Sequence, residues 1–251
     1  MLILLPPSET KLSGGVDGSV LDLASLSFRE LDRPRRAVIA ATRKLARNLN
    51  TMAAALGVGS TQRTELMHNR QLGTSPVMPA LERYTGVLYD ALDSGSLAPA
   101  ARAFAHGRVL IHSAMFGLVD ADDPIPAYRL SHDSRLPDLS LKATWRGPIN
   151  SVLARTSELI LDLRSEAYAD LGPVPADRHS VYLRLVSKGP DGAVRALNHF
   201  NKKGKGQFTR AVLEAGIDHD DVDSLLDWAR DRGMLLERAA PGELALVAPS
   251  L

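Results

Sequence analysis

The stretch Met1-Leu2-Ile3-Leu4-Leu5-Pro6-Pro7-Ser8-Glu9-Thr10-Lys11 decides how the fold is read. Five apolar residues run without interruption, and two prolines stop them. A short apolar run bounded by breakers is the pattern of a buried strand. Each proline lacks the N–H that a ladder or a helix interior would use, so the chain must leave the sheet there. The polar residues that follow fall at the strand's carboxyl end, the edge at which α/β sheets usually bind ligands. Lys11 and Glu9 are therefore candidates to line a cleft.

Further along, residues 13–27 contain three glycines and read as a flexible loop. Pro34 opens a long helical pattern in which Ala37, Ala41, Leu45, Leu49 and Met52 recur at helical spacing, closing near Leu56 and Gly57. A second helix is expected from Ser60 or Thr61, and another over residues 79–92. Residues 108–112 read as a strand, 113–119 as an apolar turn and 120–126 as a loop. A helix over 142–155 precedes a strand at 158–162 and a helix start at 164–168. Residues 180–186 alternate as a strand does, with 194–197 a candidate neighbour. Helices follow at 207–215 and 222–232. Residues 234–237 and 243–247 flank Ala240-Pro241-Gly242, a hairpin signal. Strands interleaved with helices, without repeat or linker, predict an α/β or mixed α+β fold built as one domain over residues 1–251.

The chain has 251 residues, of which 45 % are hydrophobic and 24 % charged, so a sizeable core is available. Lys and Arg number 30 against 29 Asp and Glu, a net charge of +1. Any binding of polyanions must therefore come from local clustering. With no cysteine, disulfides, thiolate catalysis, Cys-ligated metals and thiol sensing of peroxide are excluded. No apolar run is long enough to span a membrane. The opening segment lacks the basic flank of a signal peptide. A cytoplasmic location, no membrane partner, no cofactor and no metal are expected.

Five groups of residues are weighed for candidate chemistry. Gly57-Val58-Gly59 lies between two helical patterns, with Arg63 just beyond. Glycines allow a phosphate close to the backbone, and the N–H groups of a following helix attract it; a plain helix cap accounts for the same glycines. Residues 201–207 (Asn-Lys-Lys-Gly-Lys-Gly-Gln) read as a mobile cationic loop before a helix. Lys202, Lys203 and Lys205 would suit phosphate, or form a solvated turn. The basic run Arg29, Arg33, Arg35, Arg36, Arg43, Lys44 and Arg47 reads first as a solvated helix face. Lys11, Tyr84, Arg129, Ser165, Glu166 and Tyr168 fall near predicted strand ends and would line a cleft suited to acid–base chemistry or to gripping an anion. Asp120, Asp122 and Asp123 lack the glycine and distal Glu of a calcium loop and read as capping residues.

Taken in order, several blocks resemble the YaaA family of peroxide-stress proteins. The opening strand and proline loop resemble the family's start. Arg83-Tyr84-Thr85-Gly86-Val87-Leu88-Tyr89 is similar to its Gly-Asp-Val-Tyr block. Ser113-Ala114-Met115-Phe116-Gly117-Leu118-Val119 with Tyr128-Arg129-Leu130 resembles its Ser-Gly-Leu-Tyr-Gly…Tyr-Arg-Leu block. Leu163 to Tyr168 is similar to its Ala-Ser-Glu/Asp-Tyr block. Residues 203–210, ending in Arg210, stand where the family has Lys-Ala-Arg-Gly. The lysine after the first strand is displaced by about two positions from the family's Ser-Pro-Ala-Lys, and Arg-Leu-Glu-Met becomes Arg129-Leu130-Ser131-His132.

This resemblance implies a single mixed α/β domain with a central sheet, a positively charged cleft and a helix-hairpin-helix element. It implies non-specific binding of double-stranded DNA through phosphates, with Gly57, Gly59, Arg63, Lys202, Lys203, Lys205 and Arg210 as contacts. It further implies a role against hydrogen peroxide, limiting iron-dependent damage. The second expectation is an enzyme acting on a phosphorylated or nucleotide-like small anion in the same cleft, through Lys11, Arg129 and Glu166.

Overall fold

The computed structural model describes residues 1–57, 59, 63, 65–188, 194–196 and 200–247. In chain order the strands and helices are β1 (Leu2–Leu5), α1 (Asp32–Leu45), α2 (Leu49–Leu56), α3 (Leu66–Arg70), β2 (Met78–Pro79), α4 (Ala80–Arg83), α5 (Val87–Leu92) and α6 (Pro99–Ala105). They continue with β3 (Val109–Ser113), β4 (Gly117–Asp120), β5 (Pro124–Ile125), α7 (Leu141–Leu153), β6 (Ile160–Asp162) and α8 (Glu166–Leu171). The last are β7 (Ser180–Lys188), β8 (Val194–Ala196), α9 (Phe200–Ala215), α10 (Val222–Asp231), β9 (Leu236–Arg238) and β10 (Glu243–Val247).

β1 lies inside an eight-stranded sheet, fully buried, as its apolar run requires. Five parallel strands run in the order β3-β1-β6-β7-β10, with β4 and β9 added antiparallel at the two edges. The fold is mixed α/β. Its hydrophobic core runs through the sheet and the helices packed on it, from Met1 to Leu246.

β7 is longer than its neighbours, and this shapes the molecule. Ser180–Tyr182 pair with β6, whereas Val186–Lys188 pair with β8. Val186 pairs with β10 on its other side. β8 therefore lies on the same flank of β7 as β6, beyond the end of β6. Among the described residues, Leu183, Arg184 and Leu185 have no strand beside them on that flank.

Three expectations change. The helical pattern from Pro34 to Leu56 is two helices, because Asn48 leaves helical geometry and its side chain accepts the N–H groups of Asn50 and Thr51 at 3.0 and 3.1 Å. The segment 79–92 also divides, at Tyr84, which bridges to Lys11 before α5 begins. The lysine segment 201–207 is not a loop but the first half of α9. Its glycines permit close packing: a Cβ on Gly206 would lie 2.1 Å from the carbonyl oxygen of Leu88 in α5, and one on Gly204 2.6 Å from Leu185 in β7. Tertiary contact thus overrides the low helical propensity of glycine. The apolar turn at 113–119 contains the start of β4, and the 120–126 loop contains β5. Ser60, Thr61 and Leu197 lie outside the described residues.

Candidate functional site

The carboxyl ends of β1 and β6 and the free flank of β7 meet in a cleft of about 830 Å³. Residues 6–9 supply one wall, the segment 163–168 another, and β7 between 182 and 185 the back. α9 closes it with Asn201, Lys202 and Lys205, while residues 85–89 and 130–132 complete the rim. Of the candidates, Ser165, Glu166, Tyr168, Lys202 and Lys205 line it together. Lys203 is exposed on α9 and does not line the cleft.

Lys205 is 5 % exposed. Its ammonium donates to the carbonyls of Leu163 and Arg164 at 3.0 and 3.4 Å and lies 5.2 Å from the centre of the Tyr182 ring. Burial lowers its pKa to about 8. Arg184 is committed to two carboxylates, donating twice to Glu243 at 2.8 Å and once to Glu166 at 2.8 Å. Ser165 caps α8, its oxygen accepting from the Tyr168 N–H at 3.4 Å. His132 stacks on Tyr168 with ring centres 5.3 Å apart.

Lys11, Tyr84 and Arg129 stand behind this surface and do not line it. Lys11 donates to the carbonyls of Ser8 and Glu9 at 2.8 and 3.3 Å, holding the loop that follows β1. Arg129 donates to Glu9 at 2.7 Å and faces Glu65 at 3.5 Å. Ser113 accepts the N–H groups of Met115 and Phe116, both at 3.0 Å. Its own hydrogen is then directed to the Tyr128 hydroxyl at 2.7 Å, which leaves Tyr128 to donate to Tyr84 at 2.8 Å. Burial raises the pKa of both tyrosines, so the chain stays protonated.

Beneath β6 lies an ion pair that the sequence reading missed. Arg164, fully buried, donates twice to Asp162 at 2.9 and 2.6 Å. One further nitrogen donates to the Gly172 carbonyl at 2.7 Å and meets Nδ1 of His112 at 3.0 Å. Burial, with Arg164 second, depresses the His112 pKa, keeping the ring neutral and able to accept at Nδ1. Arg184 and Tyr182 were missed too, since neither sits in a recognisable motif, while Asn201 and His132 were named only as members of longer blocks.

The remaining candidates are placed elsewhere. Arg210 donates to the carbonyls of Leu92 and Asp93 and to Ser96, all at 2.9 Å, tying α9 to the end of α5. Gly57 ends α2 in the left-handed conformation, φ 63°. Gly59 and Arg63 are exposed. Asp120 and Asp123 accept backbone N–H groups from Gly107, Asp122, Ser27 and Asp120, which lie in turns and at the end of β4, so these carboxylates brace loops and do not cap a helix as expected. His106 lies 3.3 Å from Asp120 and 3.1 Å from Asp122, and Arg102 already approaches Asp122 at 3.4 Å. Among the described residues no helix is long and apolar enough to cross a membrane.

A mostly parallel sheet with helices packed on it and a cleft at its carboxyl edge defines a mixed α/β protein. More particularly, the chain belongs to the family described as peroxide stress protein YaaA, whose model matches residues 1–234. It is 43 % identical over 242 residues to UPF0246 protein CE1889 of Corynebacterium efficiens, covering 94 % of this chain and 95 % of that one. It is 39 % identical over 251 residues to UPF0246 protein SCO2297 of Streptomyces coelicolor, covering 97 % and 94 %. An uncharacterised Campylobacter jejuni protein, Cj0984, is similar at 26 % identity over 82 % of both chains.

Proposed function

We propose that the protein binds the phosphate backbone of double-stranded DNA, without reading bases, through the face formed by α1, α2 and α3. One observation carries this reading. Between residues 29 and 71 there are nine Lys or Arg (Arg29, Arg33, Arg35, Arg36, Arg43, Lys44, Arg47, Arg63, Arg70) and three Asp or Glu (Glu30, Asp32, Glu65), in a chain whose net charge is +1. All three carboxylates are engaged: Glu30 with Arg155, Asp32 with Arg29 and Arg35, and Glu65 with Arg129. Arg33, Arg36, Arg43, Arg47 and Arg63 are exposed, and no carboxylate among the described residues pairs with them. Positions 36 and 43, seven residues apart, share one side of α1, and Arg47 lies in the turn after it.

The three helices pack on one another, and their exposed arginines, with Arg47 and Arg63, are proposed to meet the duplex together. Gly57 and Gly59 belong to the proposed helix-hairpin-helix element. A Cβ on Gly57 or Gly59 would meet nothing within 4 Å, which leaves room for a phosphate against the backbone. Lys202 on α9 brings positive charge to the cleft, and Lys203 is exposed on the same helix. Arg35 is excluded from this role because it is fully buried and donates to the Phe116 and Leu118 carbonyls, both at 2.8 Å. In the peroxide response named for the family, such binding would help limit iron-dependent damage to DNA.

A mobility-shift titration at 50 and 200 mM salt tests the reading. Five phosphate contacts would weaken binding about 500-fold over that range, with little preference for sequence. Absence of a shift at 50 mM would remove it.

A further inference from the structure

We propose that the cleft at the carboxyl edge of the sheet is a separate site for a small phosphomonoester bearing a flat ring, of the mononucleotide class. Lys205 and Lys202 hold the phosphate, and the ring lies against Tyr168 and His132. The inference does not depend on DNA binding by α1–α3.

Lys205 supplies the first ground. It is buried, lines the cleft and carries a cation with no carboxylate inside 4 Å among the described residues. The two nearby acids are already committed, Asp162 to Arg164 and Glu166 to Arg184. Carbonyl oxygens partly compensate the ammonium but do not cancel its charge. A buried charge without a counterion is costly, and an entering phosphate supplies one.

Asn201 supplies the second. It stands one helical turn before Lys205 on the same face of α9 and also lines the cleft. Its Oδ1 is enclosed and has no hydrogen-bond partner among the described residues. Buried polar atoms are nearly always paired, and this one calls for a donor on the ligand. Sugar hydroxyls provide such a donor within reach of a phosphate.

Shape supplies the third. Because β6 stops level with Tyr182 and β8 begins level with Val186, the sheet leaves a recess along residues 183–185. Its volume, about 830 Å³, is in the range of sites for nucleotide-sized ligands. The stacked pair Tyr168 and His132 gives a flat wall for a ring.

The test is calorimetric titration of the full chain with AMP, GMP, CMP and UMP, with adenosine, ribose 5-phosphate and inorganic phosphate as controls. At least one mononucleotide should bind at micromolar to low millimolar concentration, more tightly than ribose 5-phosphate, while adenosine binds at least about tenfold more weakly. Lys202→Ala should weaken binding about threefold to tenfold, and Lys205→Met more. Glu166→Gln, which removes a carboxylate from the cleft, should tighten it, an effect that a merely structural role would not produce. Should Lys205→Met fail to fold, Lys202→Ala and Glu166→Gln still decide. An Arg36→Glu, Arg43→Glu double variant should leave mononucleotide binding unchanged. The proposal is overturned if no mononucleotide binds, if adenosine binds as well as AMP, or if both Lys202→Ala and Glu166→Gln leave affinity unchanged. It is equally overturned if a 5′-phosphorylated DNA hairpin occupies the cleft and free mononucleotides do not.

Discussion

The ammonium nitrogen of Lys11 lies 4.0 Å from the centre of the Tyr128 ring and 5.2 Å from that of Tyr84. The ring faces attract the cation. Burial acts more strongly in the other direction and, with Arg129 second, lowers the Lys11 pKa from 10.5 to about 7, against the opposing pull of Glu65 and Glu9.

This pair of forces predicts a pH dependence. The folded chain holds the Lys11 proton less tightly than the unfolded chain does. Between about pH 7 and 10.5 the unfolded state therefore binds more protons, and stability rises with pH across that window. Below pH 7 the full penalty stands. Relative to Lys11→Met, the wild type should gain about 4 kcal/mol between pH 6.5 and 10, measured by urea denaturation at each pH. Parallel curves for the two proteins would contradict the enclosed position of the ammonium.

Reversing charge on α1 should act on DNA alone. The Arg36→Glu, Arg43→Glu double variant should lower affinity at least about tenfold at 50 mM salt and flatten the salt dependence by about two phosphate contacts. Both side chains are exposed, so the thermal midpoint should stay within a few degrees of the wild type. Fluorescence anisotropy with two duplexes of unrelated sequence gives both quantities.

The two kinds of glycine should respond differently to alanine. At Gly206 the new Cβ meets a backbone carbonyl that cannot step aside, and a loss of about 3 kcal/mol or more is expected. At Gly57 space is open and only the left-handed conformation opposes the change, a cost of about 1 kcal/mol. Thermal denaturation followed by circular dichroism should rank them in that order.

Removing half of the buried ion pair beneath β6 should be severe. Asp162→Ala leaves the Arg164 guanidinium buried without its carboxylate and should cost about 3–5 kcal/mol. The double change Asp162→Leu, Arg164→Met removes the stranded charge and should recover part of that loss, as read from denaturant midpoints.

Local pattern made much of the fold legible. The first strand and the polar loop at its carboxyl end follow from five apolar residues and two prolines, and the C-terminal hairpin from its turn residues. The cleft's catalogue was half visible: Ser165, Glu166, Tyr168, Lys202 and Lys205 do converge. What stayed hidden depends on distant partners. Gly204 and Gly206 look like loop residues until Leu185 and Leu88 are seen against them. Lys205 looks solvated until α9 turns it inward, and Arg210 looks available until the end of α5 takes up its guanidinium. No spacing rule brings Arg164 together with His112, 52 residues earlier.

The walls of the cleft come from segments between residues 6 and 205, drawn from almost the whole length of the chain. During synthesis on the ribosome the recess cannot exist until α9 has emerged and docked. Premature termination just before that helix yields a polypeptide holding nearly every wall but no enclosure. Occupancy of this cavity would therefore report completed folding, and a cell would meet either the finished pocket or none.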